Sequence, residues 1–195
     1  MTGDPIPEAL ARRVKLVILD VDGVLTDAGV YLGVAGHADA SAGNAGGAVE
    51  LKRFDIQDGV GVKMLMWAGL EVAFVSGRVS EATTIRAREL GVEECHQEPD
   101  AYKLHVVEKL MERKGVDWEE VAMVADDIPD LAVLRLVGLK AVVANATPPV
   151  VAIADWQSTR SGGRGAVREF ADALLSARGV LDDIVEQYVE ERSRT

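Results

Sequence analysis

The sequence predicts an α/β protein built on a mainly parallel sheet. Short apolar runs alternate along the chain with stretches of helical period, the pattern left by strand–helix–strand units. At 195 residues and 48% hydrophobic composition, a single domain over 1–195 with a sizeable core is expected, because domains most often run to about 100–150 residues.

The first strand is read at 14–19, VKLVIL, an apolar run that reads as buried. After it, the strand-like pieces YL and VELKRF flank residues 33–47, where five Gly and five Ala leave nothing to build a core. A β-hairpin flap over about 28–54 with a mobile low-complexity tip is the economical reading. Residues 59–69 carry Val62, Leu65, Met66 and Gly69 at helical spacing. A second strand follows at 71–75, and then a helix over 80–90 that opens on Ser80 as N-cap and stops at Gly91. A weak third strand at 93–97 leads into a helix over 101–114 with Leu104, Val107, Leu110 and Met111 as its stripe. Strands at 121–125 and 140–144 complete the sheet. Near the end, Leu181, Ile184, Val185, Tyr188 and Val189 form the apolar stripe of a helix over about 180–193. Such a helix is marginal alone in water, so its stripe should dock on the core or on another subunit.

Composition excludes several classes of function. The 21 Lys and Arg against 32 Asp and Glu leave a net charge of −11, which repels phosphate backbones and anionic lipid and argues against nucleic acid as a partner. One cysteine, Cys95, allows neither an internal disulfide framework nor a Cys-based zinc site and fits a reducing compartment. The N-terminal residues lack a signal-peptide core, and nowhere do about 18 uncharged apolar residues run together. A cytoplasmic protein without a membrane span is expected. His37, His96 and His105 share no metal-ligand spacing, and Trp67, Trp118 and Trp156 are scattered as packing residues are.

In open parallel sheets, ligands bind beyond the carboxyl ends of the strands. The first strand delivers Asp20 and Asp22 there, the second Ser76-Gly77-Arg78, and the fourth Asp126, Asp127 and Asp130. Lys103 stands in the first turn of the helix that follows the third strand. Carboxylates from the first and fourth strands meet if those strands are neighbours. Two such charges about 4 Å apart repel by roughly 4 kcal/mol at an effective dielectric near 20, so the cluster either raises its pKa values or holds a cation. For a few hard oxygen ligands that ion is Mg²⁺, which keeps waters and bridges to phosphate. Ser76, the Gly77 amide and Lys103 then form the donor-rich half of a phosphoryl site.

These residues carry a resemblance. DVDGVLTD, with Asp20, Asp22 and Thr26, resembles the first motif of the haloacid dehalogenase superfamily; VSGR supplies Ser76 of the second, Lys103 the third and ADDIPD the fourth. The resemblance implies a Rossmann-like three-layer fold and an aspartate-nucleophile phosphatase. Asp20 would be nucleophile and Asp22 acid/base, with Mg²⁺ held by Asp20, the Asp22 carbonyl and Asp126. Thr26 would help fix the phosphoryl end, with Asp127 and Asp130 as supporting carboxylates, although either could equally be a helix N-terminal charge. Asp27 reads as a turn cap. Only 56 residues separate Asp20 from Ser76 and 27 separate Ser76 from Lys103, which leaves no room for a cap domain.

FDIQDGVGVKML at 54–65 and SGGRGAVREF at 161–170 narrow the resemblance to the capless phosphatases of 3-deoxy-D-manno-octulosonate 8-phosphate. Those are homotetramers whose neighbours complete each site, which implies a sugar-acid phosphate as substrate and a second copy of this chain as partner. Lys63, Arg78 and Arg164 are the basic residues expected near the sugar acid. The chain departs from the family at Ala125, where a Gly is usual, and at Gln57, where an Arg is frequent. Two further readings stand beside this one: a phosphatase of a nine-carbon sialic-acid-like 9-phosphate, and a non-catalytic module of the same fold used for oligomerisation or regulation.

Overall fold

The computed structural model describes residues 5–34 and 48–193; the expected mobile tip falls largely on residues outside these. In chain order the elements are α1 (Glu8–Ala11), β1 (Leu16–Leu19), β2 (Tyr31–Val34), β3 (Ala48–Leu51), α2 (Ile56–Trp67), β4 (Glu71–Ser76), α3 (Glu81–Leu90) and β5 (Glu94–Gln97). There follow α4 (Lys103–Lys114), β6 (Val121–Ala125), α5 (Leu131–Leu134), β7 (Leu139–Val142), α6 (Pro148–Val151), β8 (Trp156–Gln157), α7 (Ala166–Arg178) and α8 (Leu181–Ser193).

Six strands form one parallel sheet in the order β5-β4-β1-β6-β7-β8. The chain winds outward from β1 through β4 and β5, returns to the other side of β1 at β6, and winds outward again through β7 and β8. The direction of winding therefore reverses at β1, the place where open α/β sheets leave a crevice at their carboxyl ends. All four residues of β1 are buried, and they alternate between two cores: Val17 and Leu19 face one, Leu16 and Ile18 the other. The first core is closed by α2 and α7 through Leu65, Phe170 and Leu174, the second by α4 and α5 through Val107, Leu110 and Leu134. Burial on both faces is why these strands read as unbroken apolar runs.

β2 and β3 pair antiparallel, with Tyr31 opposite Leu51, and a bridge between Thr26 and Phe54 carries the pairing to the base of the flap. In α8 the apolar stripe is only half used. Ile184 is buried and Tyr188 lies 5.2 Å from Trp67, while Val185 and Val189 remain exposed. No helix among the described residues is long and apolar enough to cross a membrane.

Candidate active site

β4, β1 and β6 are adjacent, so their exits converge, and β1 and β6 are the neighbours that the carboxylate argument requires. Asp20 follows β1 and Asp126 follows β6. Asp130 arrives from the turn before α5 and Lys103 from the first position of α4. One carboxylate oxygen from each of Asp20, Asp126 and Asp130 lies within 4.8 Å of the others. The Lys103 ammonium, 3% exposed, donates to Asp20 Oδ1 at 2.5 Å and to Asp130 Oδ1 at 2.6 Å. Asp130, which the sequence left equally open as a helix-end charge, is thus buried inside the cluster.

The electrostatics follow from this crowding. Burial first, and then the charges of Asp20, Asp130 and Asp127, push the Asp126 carboxyl up to about 8. Burial and Asp20 push Asp130 up as well, against the pull of Lys103. Lys103 is itself driven upward by the two carboxylates, which outweigh the cost of burying an ammonium. A buried group of three carboxylates with one ammonium lacks positive charge, and a divalent cation fits the oxygen-only donor set.

The loop after β1 approaches this group so closely that only glycine is tolerated. Gly23 has φ +105°, and a Cβ there would overlap the Asp126 carboxylate. Thr26 sits inside the same loop. It is fully buried, its hydroxyl donates to the Val21 carbonyl at 3.3 Å and it accepts from the Gly23 and Ala28 amides at 3.4 and 3.3 Å. Its contacts hold the loop after β1. Asp27 caps its turn as expected, accepting from the Gly29 amide at 3.2 Å.

Ser76 ends β4 fully buried, its hydroxyl exchanging 3.1 Å hydrogen bonds with the Arg78 backbone. Gly77 packs against Ala101 and the Lys103 stem. Arg78 reaches Glu50 at 3.1 Å and Asp22 at 4.0 Å. Arg164 lies 3.6 Å from Asp27, on a loop so tightly seated that a Cβ on Gly162 would overlap the Gly23 carbonyl. Lys63 is not brought to the site: its ammonium donates to the Leu90 carbonyl, at the far end of α3. Ala125 is fully buried at the end of β6 and does not prevent Asp126 from joining the cluster. Gln57 accepts from Arg160 at 2.9 Å, so a guanidinium stands beside it. Asp127 caps the turn before α5, bonded to the Ile128 amide and the Thr147 hydroxyl.

Two residues at the base of the flap were not anticipated. Lys52, its side chain fully buried, lies 2.7 Å from Asp22 Oδ1 and 2.9 Å from Oδ2, and Glu50 Oε1 lies 4.0 Å from the same ammonium. A signal was present in the alternation of Glu50 and Lys52 within VELKRF, which places both on one side of a strand.

A sequence model of the haloacid dehalogenase-like hydrolases matches residues 97–170. The 3-deoxy-D-manno-octulosonate 8-phosphate phosphatase of Escherichia coli is 38% identical over 175 residues, covering 90% of this chain and 86% of that protein. The enzyme of the same name from Yersinia pestis is 34% identical over 172 residues, covering 88% and 85%. Among solved structures, that of the Moraxella catarrhalis phosphatase of this name, in complex with magnesium, phosphate and 3-deoxy-D-manno-octulosonate, superposes with a TM-score of 0.82 at 30% identity. It covers 93% of this chain and 97% of its own. The cobalt-bound Haemophilus influenzae phosphatase gives 0.75 at 35% identity, covering 88% and 93%.

Proposed function

Since the chain belongs to the haloacid dehalogenase-like hydrolases, we propose that it is a Mg²⁺-dependent phosphatase of a phosphorylated sugar acid, 3-deoxy-D-manno-octulosonate 8-phosphate. The observation that carries this reading is the convergence of Asp20, Asp126, Asp130 and Lys103 at adjacent strand exits. The relatives named for this substrate support its identity.

Asp20 attacks phosphorus in line; its carboxylate forms the new O–P bond of an aspartyl-phosphate as the ester P–O bond breaks. Asp22 gives its proton to the departing alkoxide, then takes one from the water that hydrolyses the aspartyl-phosphate. Lys103 and the Ser76-Gly77 turn supply donors beside Asp20, where negative charge gathers. The Asp20 and Asp126 carboxylates, with the Asp22 backbone carbonyl, would hold Mg²⁺, which neutralises phosphoryl charge when bound. Arg78 and Arg164 border the crevice from separate loops and suit the carboxylate of a sugar acid. We place the enzyme in the cytoplasm as a homotetramer. Tyr31, Leu32, Leu51 and Ile56 are exposed around the flap, and a two-stranded ribbon is only marginally stable without a packed face.

The test is phosphate release from the 8-phosphate and from a nine-carbon sugar-acid 9-phosphate. Wild-type enzyme with Mg²⁺ should favour the first in kcat/KM, and Asp20→Asn should abolish turnover without loss of fold. A preference for the 9-phosphate overturns the substrate. Turnover by Asp20→Asn near the wild-type rate overturns the nucleophile, and a folded wild type inert toward both esters and a wider panel of sugar phosphates identifies a non-catalytic module.

A further inference from the structure

We propose that Lys52, delivered by the flap, is a positioning residue that sets the orientation of the Asp22 carboxylate toward the leaving group. This deepens the phosphatase reading and rests on Asp22 being the acid/base.

The geometry is that of a fixed mount. One ammonium meets both Asp22 oxygens, donating a hydrogen bond to Oδ2 at 2.9 Å and lying 2.7 Å from Oδ1 as an ion-pair contact without a hydrogen bond, so rotation of the carboxylate about its last bond breaks at least one contact. The ammonium is itself constrained: its side chain is fully buried, Thr83 Oγ1 lies 3.4 Å away, and Glu50 Oε1 lies 4.0 Å away. By contrast Arg78, the other cation near Asp22, is 45% exposed in its side chain and 4.0 Å distant. A long exposed side chain at that range does not fix a carboxylate. Asp22 follows β1 whereas Lys52 ends the flap, 30 residues later, so the contact makes the flap part of the catalytic geometry. An acid whose proton must reach a developing alkoxide loses much of its effect when it is displaced by about 1 Å.

A role in orienting the acid predicts a loss that grows as the leaving group worsens, because a good leaving group departs without a proton. The value of kcat/KM reports the steps through departure of that group. It is measured for 4-nitrophenyl phosphate, phenyl phosphate and the sugar-acid 8-phosphate in wild type, Lys52→Met, Lys52→Arg and Asp22→Asn, with thermal unfolding as the check on folding. Lys52→Met is expected to lose about 10–100-fold on phenyl phosphate and the sugar acid but less than about 3-fold on 4-nitrophenyl phosphate. Lys52→Arg should recover part of that loss, and Lys52→Met should add little to Asp22→Asn in the double variant.

Equal loss on all three esters by a folded Lys52→Met means that Lys52 only pins the flap, and overturns the proposal. So does full additivity with Asp22→Asn. Should Lys52→Met fail to fold, the same leaving-group comparison on Lys52→Arg decides. If Asp22→Asn itself shows no leaving-group dependence, the acid/base assignment falls and this inference with it; if Asp22→Asn shows it and Lys52→Met does not, only the inference falls.

Discussion

Replacing Lys103 by Met removes the ammonium between two buried carboxylates, 2.5 Å from Asp20 and 2.6 Å from Asp130. At an effective dielectric near 20, each attraction amounts to about 6 kcal/mol before desolvation. Much of that is offset by the cost of taking the ions out of water, and losing one member of such a buried group costs about 3–5 kcal/mol net. The carboxylates have two ways of recovering. They can take up protons, since folded-state pKa values here already lie above the usual carboxylate range. They can also take up a divalent cation in place of the lost ammonium. The destabilisation of Lys103→Met should therefore be greatest at about pH 8 in EDTA, shrink as pH falls toward about 5, and shrink again when Mg²⁺ is added at pH 8. Urea unfolding of wild type and variant under these three conditions measures it. A loss below about 1 kcal/mol at pH 8 in EDTA, or a gap that widens on acidification, refutes the electrostatic account of the cluster.

Two further outcomes follow from the same crowding. Because the Asp126 carboxyl is pushed up to about 8 in the metal-free protein, a cation bound there must displace its proton. Mg²⁺ affinity should fall about 10- to 30-fold between about pH 8.5 and pH 6.5, with proton release seen by calorimetry in buffers of different ionisation enthalpy; pH-independent affinity contradicts it. Gly162→Ala sets a methyl against the Gly23 carbonyl and should destabilise by about 1–3 kcal/mol in urea unfolding, whereas a change within about 0.5 kcal/mol means that the two loops part easily.

Legibility in the sequence depended on how far apart in the chain the partners lay. Strand exits are local features: LVIL runs into Asp20 and VAMVA into Asp126, so the carboxylate cluster could be read once parallel neighbours were assumed. α7 was not legible as a helix, although Val167, Phe170, Ala171, Leu174 and Leu175 form a stripe as regular as that of α8. Its start carries no local signal, because Gly165 has φ +91° and no side-chain cap. The cap comes instead from the buried Asp58 in α2, whose carboxylate accepts from the Gly165 amide at 3.1 Å and the Arg168 amide at 3.0 Å. β8, two residues long at the sheet edge, is too short for any period to show. Lys63 shows the opposite case: a lysine on a helix near a recognisable segment looks available, but the helix turns its ammonium toward the Leu90 carbonyl.

The flap shows why the Asp22 end of the site was harder to read than the Asp20 end. Asp20 meets its partners at strand ends whose positions are imposed by a sheet with two buried faces. Asp22 meets Lys52 and, more distantly, Arg78, and the first of these stands on a ribbon outside that sheet. Nothing in the hydrophobic pattern of VELKRF reports where the ribbon folds back, since Leu51 is exposed while Lys52 is buried. That inversion has a physical cause. A buried ammonium is tolerated only where carboxylates meet it, and a leucine is left in solvent beside it because strand alternation sends consecutive side chains to opposite faces. The placement of Lys52 against Asp22 therefore accounts for the exposure of Leu51, and it ties any contact that covers Leu51 to the same ribbon that meets the Asp22 carboxylate.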